Sequence, residues 1–171
     1  MIYPISKTEY DQALANQSYY AARWPYYEEA IDQVMRYRPS SILELGCMTL
    51  PLFRNSHTMD VSTGCNPTIL HDASKTPWPV ADKAYDMFMS LQVWEHLASS
   101  QADAFREVKR VSHRAVISFP LMWGTKDPTN IHSAISMDKI AEWTLNTAPE
   151  KVIIMPPWHI KRAIYVFDFT A

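Results

Sequence analysis

The stretch YDMFMSL (85–91) is apolar almost throughout, and it constrains the fold more than any other feature of the chain. A strand with one face in water alternates apolar and polar residues. One without that alternation is covered on both faces, the environment of a central strand in a helix-flanked sheet. AVISFP (115–120) reads as another buried strand, and SILELG (41–46), HTMDV (57–61) and TILHD (68–72) as shorter ones ending at a glycine or near an aspartate. Helical periods run between them. Ser100 with Asp103 caps a helix whose inward residues are Phe105, Val108 and Val111, and Ser136 caps another through about Asn146, with Ile140, Ala141 and Trp143 or Thr144 inward. Strands alternating with helices predict a single doubly wound α/β sandwich, mostly parallel. The last two strands, KVIIM (151–155) and AIYVFDF (163–169), joined by PPWHIKR, predict an antiparallel edge.

Residues 1–39 read as a helical lead-in to this α/β unit of residues 40–171. Ser6 and Glu9 have capping-box spacing, with Tyr10, Ala13 and Leu14 on one face behind them. Pro25 suits the first turn of a second helix, with Glu28 and Glu29 near its positive end, Ala30, Ile31, Val34 and Met35 as its buried stripe, and Pro39 beyond its end.

With 47% hydrophobic residues among 171, the chain has enough apolar surface for a sizeable core. A net charge of −2 argues against a dedicated nucleic-acid binder, which carries a basic surplus. The cluster Arg106, Lys109, Arg110, His113 and Arg114 reads as the solvated face and last turn of a helix. No apolar run approaches the roughly 20 residues that span a bilayer, and the N-terminus has no signal-peptide pattern. A cytoplasmic location with Cys47 and Cys65 reduced is the expectation. Cys47, His57, Cys65 and His71 lack the close pairs of zinc sites, so no metal is expected. An exposed aromatic surface on so trimmed a domain would favour a homodimer.

Ligands of open α/β sheets bind beyond the carboxyl ends of the strands. Those ends carry Glu44 and Gly46, then Asp60, then Asp72, then Ser90 to His96, then Pro120 to Trp123. An acid ending the second strand can accept both ribose hydroxyl protons of a nucleoside, and one after the third can accept from an exocyclic adenine amine. Two carboxylates so placed would orient an adenosine. Aspartate also caps turns at such positions without any ligand. Glu95 and His96 form a candidate general-base pair, His96 having the near-neutral basicity that proton removal needs. No P-loop or Gly-x-Ser-x-Gly elbow is present, so phosphate-cradle and hydrolase functions lack support.

These residues carry a family resemblance. HDASKTPWPVADKAYDMFMSLQVWEHL (71–97), AFREVKRV (104–111) and AVISFP (115–120), with SILELG as first strand, resemble class I S-adenosylmethionine-dependent methyltransferases over about Ser41 to Phe169. The likeness is to the small-molecule branch with an acid-x-Leu-Pro run and a Glu-His-Leu step. It implies a Rossmann-like fold and methyl transfer from S-adenosylmethionine to a small-molecule acceptor. It also implies that Glu44, Gly46 and Cys47 form the cofactor loop, Asp60 binds the ribose, Asp72 and Ala73 meet the adenine, and Ser90 to Gln92 line the methionine side. Tyr19, Tyr20, Arg23 and Trp24 would belong to a lid, and His132, with Trp123 and Asp127, would shape the acceptor pocket. No Asn-Pro-Pro-Tyr run follows the fourth strand, which disfavours nucleobase or amide nitrogen as acceptor.

The chain departs from that family's acid-x-Gly-x-Gly-x-Gly loop. It reads Glu44-Leu45-Gly46-Cys47-Met48-Thr49-Leu50, placing bulk at Met48 and Leu50 where the amino-acid tail of the cofactor would lie. Ser112-His113-Arg114 stands where the family has Pro-Gly-Gly, and the chain holds three glycines in all. The 16 residues from Glu44 to Asp60 and the 12 from Asp60 to Asp72 leave little room for crossover helices, since a whole crossover takes at least about 10–12. Two further functions stay open on these grounds: a non-catalytic methyltransferase fold serving as a binding or partner module, and a site for another nucleoside or sugar-nucleotide.

Overall fold

The computed structural model describes residues 1–20, 22–121, 131–132, 135–155 and 161–170. Among them run β1 (Tyr3–Pro4), α1 (Lys7–Asn16), α2 (Trp24–Met35), β2 (Ile42–Leu45), β3 (Phe53–Arg54), β4 (His57–Asp60) and β5 (Ile69–Leu70). Then follow β6 (Tyr85–Leu91), α3 (Gln101–Val111), β7 (Ser112–Pro120), α4 (Met137–Trp143), β8 (Lys151–Ile154) and β9 (Arg162–Asp168). Seven strands form one sheet in the order β5-β4-β2-β6-β7-β9-β8. The first five of that order are mutually parallel, and β9 runs antiparallel to both its neighbours, β7 and β8. The expected antiparallel edge is therefore present, β9 pairing antiparallel with β8, which takes the outermost place.

Both faces of the sheet are covered, which is why its central strands read as apolar runs. Phe88, Ala115 and Ile117 pack with Phe105 and Val108 of α3 and Ile140 of α4. Their neighbours Met87, Met89 and Val116 point the other way, into a cluster with Tyr26, Ala30, Ile31 and Val34 of α2. Each strand thus alternates between two apolar layers rather than between core and water.

The local signals at helix ends are mostly realised. The Ser6–Glu9 capping box forms, Pro25 lies in the first turn of α2, and the Ser136 hydroxyl accepts the Lys139 N–H at 3.1 Å. Ser100 occupies the N-cap position of α3, but its side chain makes no capping bond. Val111 ends α3 and Ser112 begins β7 directly, with the Ser112 hydroxyl donating to the Val108 carbonyl at 2.7 Å. No glycine turn is needed there. No helix among the described residues is long and apolar enough to cross a membrane.

The short crossovers are real. Between β2 and β4 the described chain has no helix; it has β3, paired antiparallel with β1 through Tyr3↔Arg54 and Pro4↔Phe53. The β1 strand lies in a segment whose sequence reads as helical, because a two-residue strand carries no period. A single 3-10 turn, Thr63–Cys65, separates β4 from β5. The β5–β6 connection is held by α3: Arg110 donates to the carbonyls of Val80 (2.7 Å) and Trp78 (3.1 Å), and Glu107 accepts the Trp78 N–H at 2.7 Å. Arg110 is therefore a structural clamp, not part of a wholly solvated basic face. Turns elsewhere manage without glycine. Ala22, Arg38, Met48, Lys83, Gln92, Ala98 and Leu145 adopt positive φ alongside Asn55, Asn66 and Asn146.

Candidate functional site

The strand order reverses between β2 and β6, so the crevice of the fold opens beyond the carboxyl ends of these two strands. Gly46 ends β2 with φ +70°, and a Cβ there would lie 2.5 Å from Cγ2 of Val93. Backbone conformation and crowding both demand glycine at this position. Met48 holds the left-handed conformation too, at φ 54°, a geometry that costs a side-chain-bearing residue roughly 1–2 kcal/mol. The loop thus follows a glycine-like path at Met48. Met48 and Leu50 join Cys47, Tyr20, Tyr27 and Leu91 around a small cavity of about 30 Å³. Their bulk leaves room for little more than a water, so a larger ligand would have to displace these side chains.

The acids near that cavity are partly occupied by their own loops. Glu44 is buried, and its carboxylate accepts the N–H groups of Leu52 (2.8 Å) and Phe53 (3.0 Å) and the Ser56 hydroxyl (2.5 Å). Burial pushes its pKa up to about 7, against the pull of those three donors. Glu44 therefore anchors the helix-free crossover while forming part of the cavity wall. Asp60 is buried, with one oxygen accepting the Ser62 N–H at 2.8 Å, and its second oxygen takes no hydrogen bond from a described residue. Asp72 accepts the Ser74 N–H at 2.9 Å, and hydrogen bonding from Ser74 holds its carboxyl below the usual value. Both aspartates cap turns two residues ahead, as aspartate does without a ligand. The pairing Asp60↔Leu70 sets the ends of β4 and β5 side by side. Ala73 is buried, and its carbonyl accepts Nε1 of Trp78, which stacks on Phe88 as a core residue. Burial, then the carboxylates of Glu44 and Asp60, push the Cys47 thiol up, so it stays protonated and is no nucleophile.

A second group of polar side chains gathers beyond β6 and β7. Ser90 Oγ, Gln92 Oε1, Trp94 Nε1 and both carboxylate oxygens of Glu95 are buried without a hydrogen-bond partner in another described residue. Buried polar atoms are normally satisfied, so such a concentration calls for a reason. Gln92 sits at φ 59°, with its N–H and Nε2 donating to the Ser118 hydroxyl at 3.1 and 3.2 Å. That hydroxyl lies 2.5 Å from the Tyr26 hydroxyl, and the Arg162 guanidinium stands 4.9 Å over the Tyr26 ring. Burial pushes the Tyr26 phenol up, so it remains a neutral hydroxyl.

Glu95 has its side chain fully out of solvent, and its Oε1 lies 3.4 Å from His132 Nδ1. Burial pushes its pKa up to about 7, opposed by its own backbone N–H and by the charges of Arg162 and Arg23. The ring of His132 meets that of His96 edge-on at 5.6 Å. Burial lowers the pKa of both histidines, and for His132 the charges of His96, Arg162 and Arg23 lower it further. Both imidazoles are therefore neutral at pH 7. Neutral imidazoles can accept a proton or donate a lone pair, and a buried carboxyl can do either.

Sequence reasoning named His96, His132, Arg23, Ser90 and Gln92 separately, and the fold brings the first three together around Glu95. Tyr20 lies elsewhere, on the cavity wall, its hydroxyl 3.2 Å from that of Thr49. Trp123, Asp127 and the side chain of Tyr19 lie outside the described residues. Sequence reasoning missed Tyr26, Ser118 and Arg162. Ser118 did leave a signal, as a lone hydroxyl inside an apolar strand.

No family model and no curated protein matches this chain. Solved structures do. A S-adenosylmethionine-dependent methyltransferase from Clostridium acetobutylicum superposes on 96% of this chain and 99% of its own, with TM-score 0.67 at 8% identity. The N-methyltransferase NodS from Bradyrhizobium japonicum, in complex with S-adenosyl-L-homocysteine, covers 82% of this chain and 85% of its own, with TM-score 0.58 at 10% identity. The (4+2)-cyclase SpnF covers 82% and 79%, with TM-score 0.60 at 12% identity. A protein named for a cyclisation stands among the matches, so the architecture does not by itself fix the reaction. The chain has the fold of the class I S-adenosylmethionine-dependent methyltransferases.

Proposed function

We propose that this chain binds S-adenosylmethionine at the β2–β6 crevice and transfers its methyl group to a small-molecule acceptor, in a cytoplasmic setting that keeps Cys47 and Cys65 as thiols. The observation that carries this reading is the set of incompletely satisfied polar side chains, Asp60, Ser90 and Gln92, at the carboxyl ends of the strands where the sheet order reverses beside Gly46. The residues there fit the cofactor. Asp60 retains one oxygen without a partner among the described residues, and Ser90 Oγ and Gln92 Oε1 are buried polar atoms in want of one. Asp60 and Asp72 would hold the adenosine, and Ser90 and Gln92 the methionine side. When bound, the cofactor supplies an electrophilic sulfonium methyl. The chain supplies proximity and orientation, which account for most of the rate in such a displacement. His96, neutral at pH 7, takes a proton from the acceptor hydroxyl or amine.

Calorimetric titration tests this reading. S-adenosylmethionine and S-adenosylhomocysteine should both bind, and Asp60→Ala should weaken binding by about tenfold or more, the effect of deleting a charged hydrogen-bond acceptor. Absence of binding at millimolar ligand would sink it. A second reading is a binding or partner module without turnover. It is favoured by Glu44, Asp60 and Asp72 each spending hydrogen bonds on their own loops, and it forecasts no methyl transfer even where ligand binds.

A further inference from the structure

We propose that Glu95, His96 and His132 form a site for one divalent transition-metal ion. One ligand atom from each of the three side chains lies within 4.8 Å of the other two. Two imidazoles and one carboxylate are a donor set that suits zinc and its first-row neighbours and leaves coordination positions open.

The spacing suits metal ligands as well as a long ion pair. A charge-assisted hydrogen bond between imidazole and carboxylate closes to about 2.7–2.9 Å. Tetrahedral ligands about 2.1 Å from an ion stand ~3.4 Å apart. Glu95 Oε1 and His132 Nδ1 are 3.4 Å apart, close to the ligand–ligand distance and longer than a charge-assisted hydrogen bond.

Glu95 supplies the independent sign of a ligand. Its side chain has no solvent exposure, and neither oxygen receives a hydrogen bond from another described residue. A buried carboxylate in that condition is costly, and coordination of a cation is one of the few ways to satisfy it. Arg23 and Arg162 act on Glu95 by charge alone, without a hydrogen bond to its oxygens. The three donors come from two segments. Glu95 and His96 follow β6, and His132 comes from the connection between β7 and α4, so only the folded chain assembles the set. Glu95 and Ile131 also border an open cleft of about 630 Å³ beside the set. Binding displaces any proton held by Glu95 or either imidazole and leaves the charge balance otherwise to the ion.

The test is equilibrium dialysis and calorimetry of the metal-stripped full chain with Zn²⁺ and Mn²⁺, and absorption spectroscopy with Co²⁺. One ion per chain is expected, with Co²⁺ giving the visible bands of a low-coordinate nitrogen–oxygen site. Glu95→Gln and His132→Ala should each weaken binding at least tenfold, whereas His113→Ala, remote from the set, should leave it unchanged. Circular dichroism establishes that each variant is folded, and His96→Ala replaces any that is not. No stoichiometric ion, or equal binding by wild type and both ligand variants, overturns the proposal. These readouts need no S-adenosylmethionine, so the metal site and the methyl-transfer reading fail separately. His96 serves as a base only in the metal-free chain, since a coordinated imidazole has no lone pair left for the acceptor's proton.

Discussion

Glu44 shows how one side chain can be fixed by both local sequence and tertiary burial. It is the acid of a recognisable strand-end motif, yet its carboxylate is spent on the N–H groups of Leu52 and Phe53 and the hydroxyl of Ser56. Burial raises its pKa from the ordinary 4.5 to about 7. A carboxyl whose pKa rises on folding binds its proton more tightly in the native state. Its contribution to stability is therefore complete below about pH 4.5 and is lost as pH rises through 7. The stability difference between wild type and Glu44→Gln, measured by urea unfolding from pH 5 to 8, should drift against the wild type up to about pH 7 and then level. A difference constant with pH would mean that Glu44 titrates normally. The motif was legible in the sequence; its three donors were not, because they come from a loop whose path depends on β1 pairing with β3.

At the scale of elements, the missing crossover helices are replaced by individual clamps. Arg110 of α3 holds the β5–β6 connection through the carbonyls of Trp78 and Val80, and pairs with Glu107 and Asp82. Removing it leaves the Trp78 and Val80 carbonyls and one Glu107 oxygen without this donor, the other oxygen keeping the Trp78 N–H. Arg110→Ala should therefore cost about 1–3 kcal/mol, read as a lowered urea midpoint with unchanged slope. A change within about 0.5 kcal/mol would reduce Arg110 to an ordinary surface residue. Sequence alone placed Arg110 on a basic helix face because helical period reports the side of the helix and says nothing of the loop that folds onto it. Strand identity was much more accessible. The runs 85–91 and 115–120 became central strands because alternation between two apolar layers leaves few polar residues, Asp86, Ser90 and Ser118, to interrupt them.

For the whole molecule, the lead-in and the sheet share a core. Ile42, Met87, Met89, Val116, Ile164 and Val166 on one sheet face pack against Tyr26, Tyr27, Ile31 and Val34 of α2. Deleting residues 1–39 strips that face, and the remainder should aggregate or bind hydrophobic dyes instead of giving a cooperative unfolding transition. A soluble, cooperatively unfolding fragment would show that the sheet needs no lead-in. What the sequence determined by itself was local: period, capping boxes, apolar runs, the lack of room for crossover helices and the strand-end acids, all set by neighbours within a few residues. Tertiary structure alone decided the rest. It turned Met48 and Leu50 into walls of a cavity and bound Glu44 to its own loop. It also set Glu95 and His96 against His132, more than 30 positions along the chain. Those outcomes depend on which segments meet beyond the sheet, and only burial of two apolar faces at once fixes that.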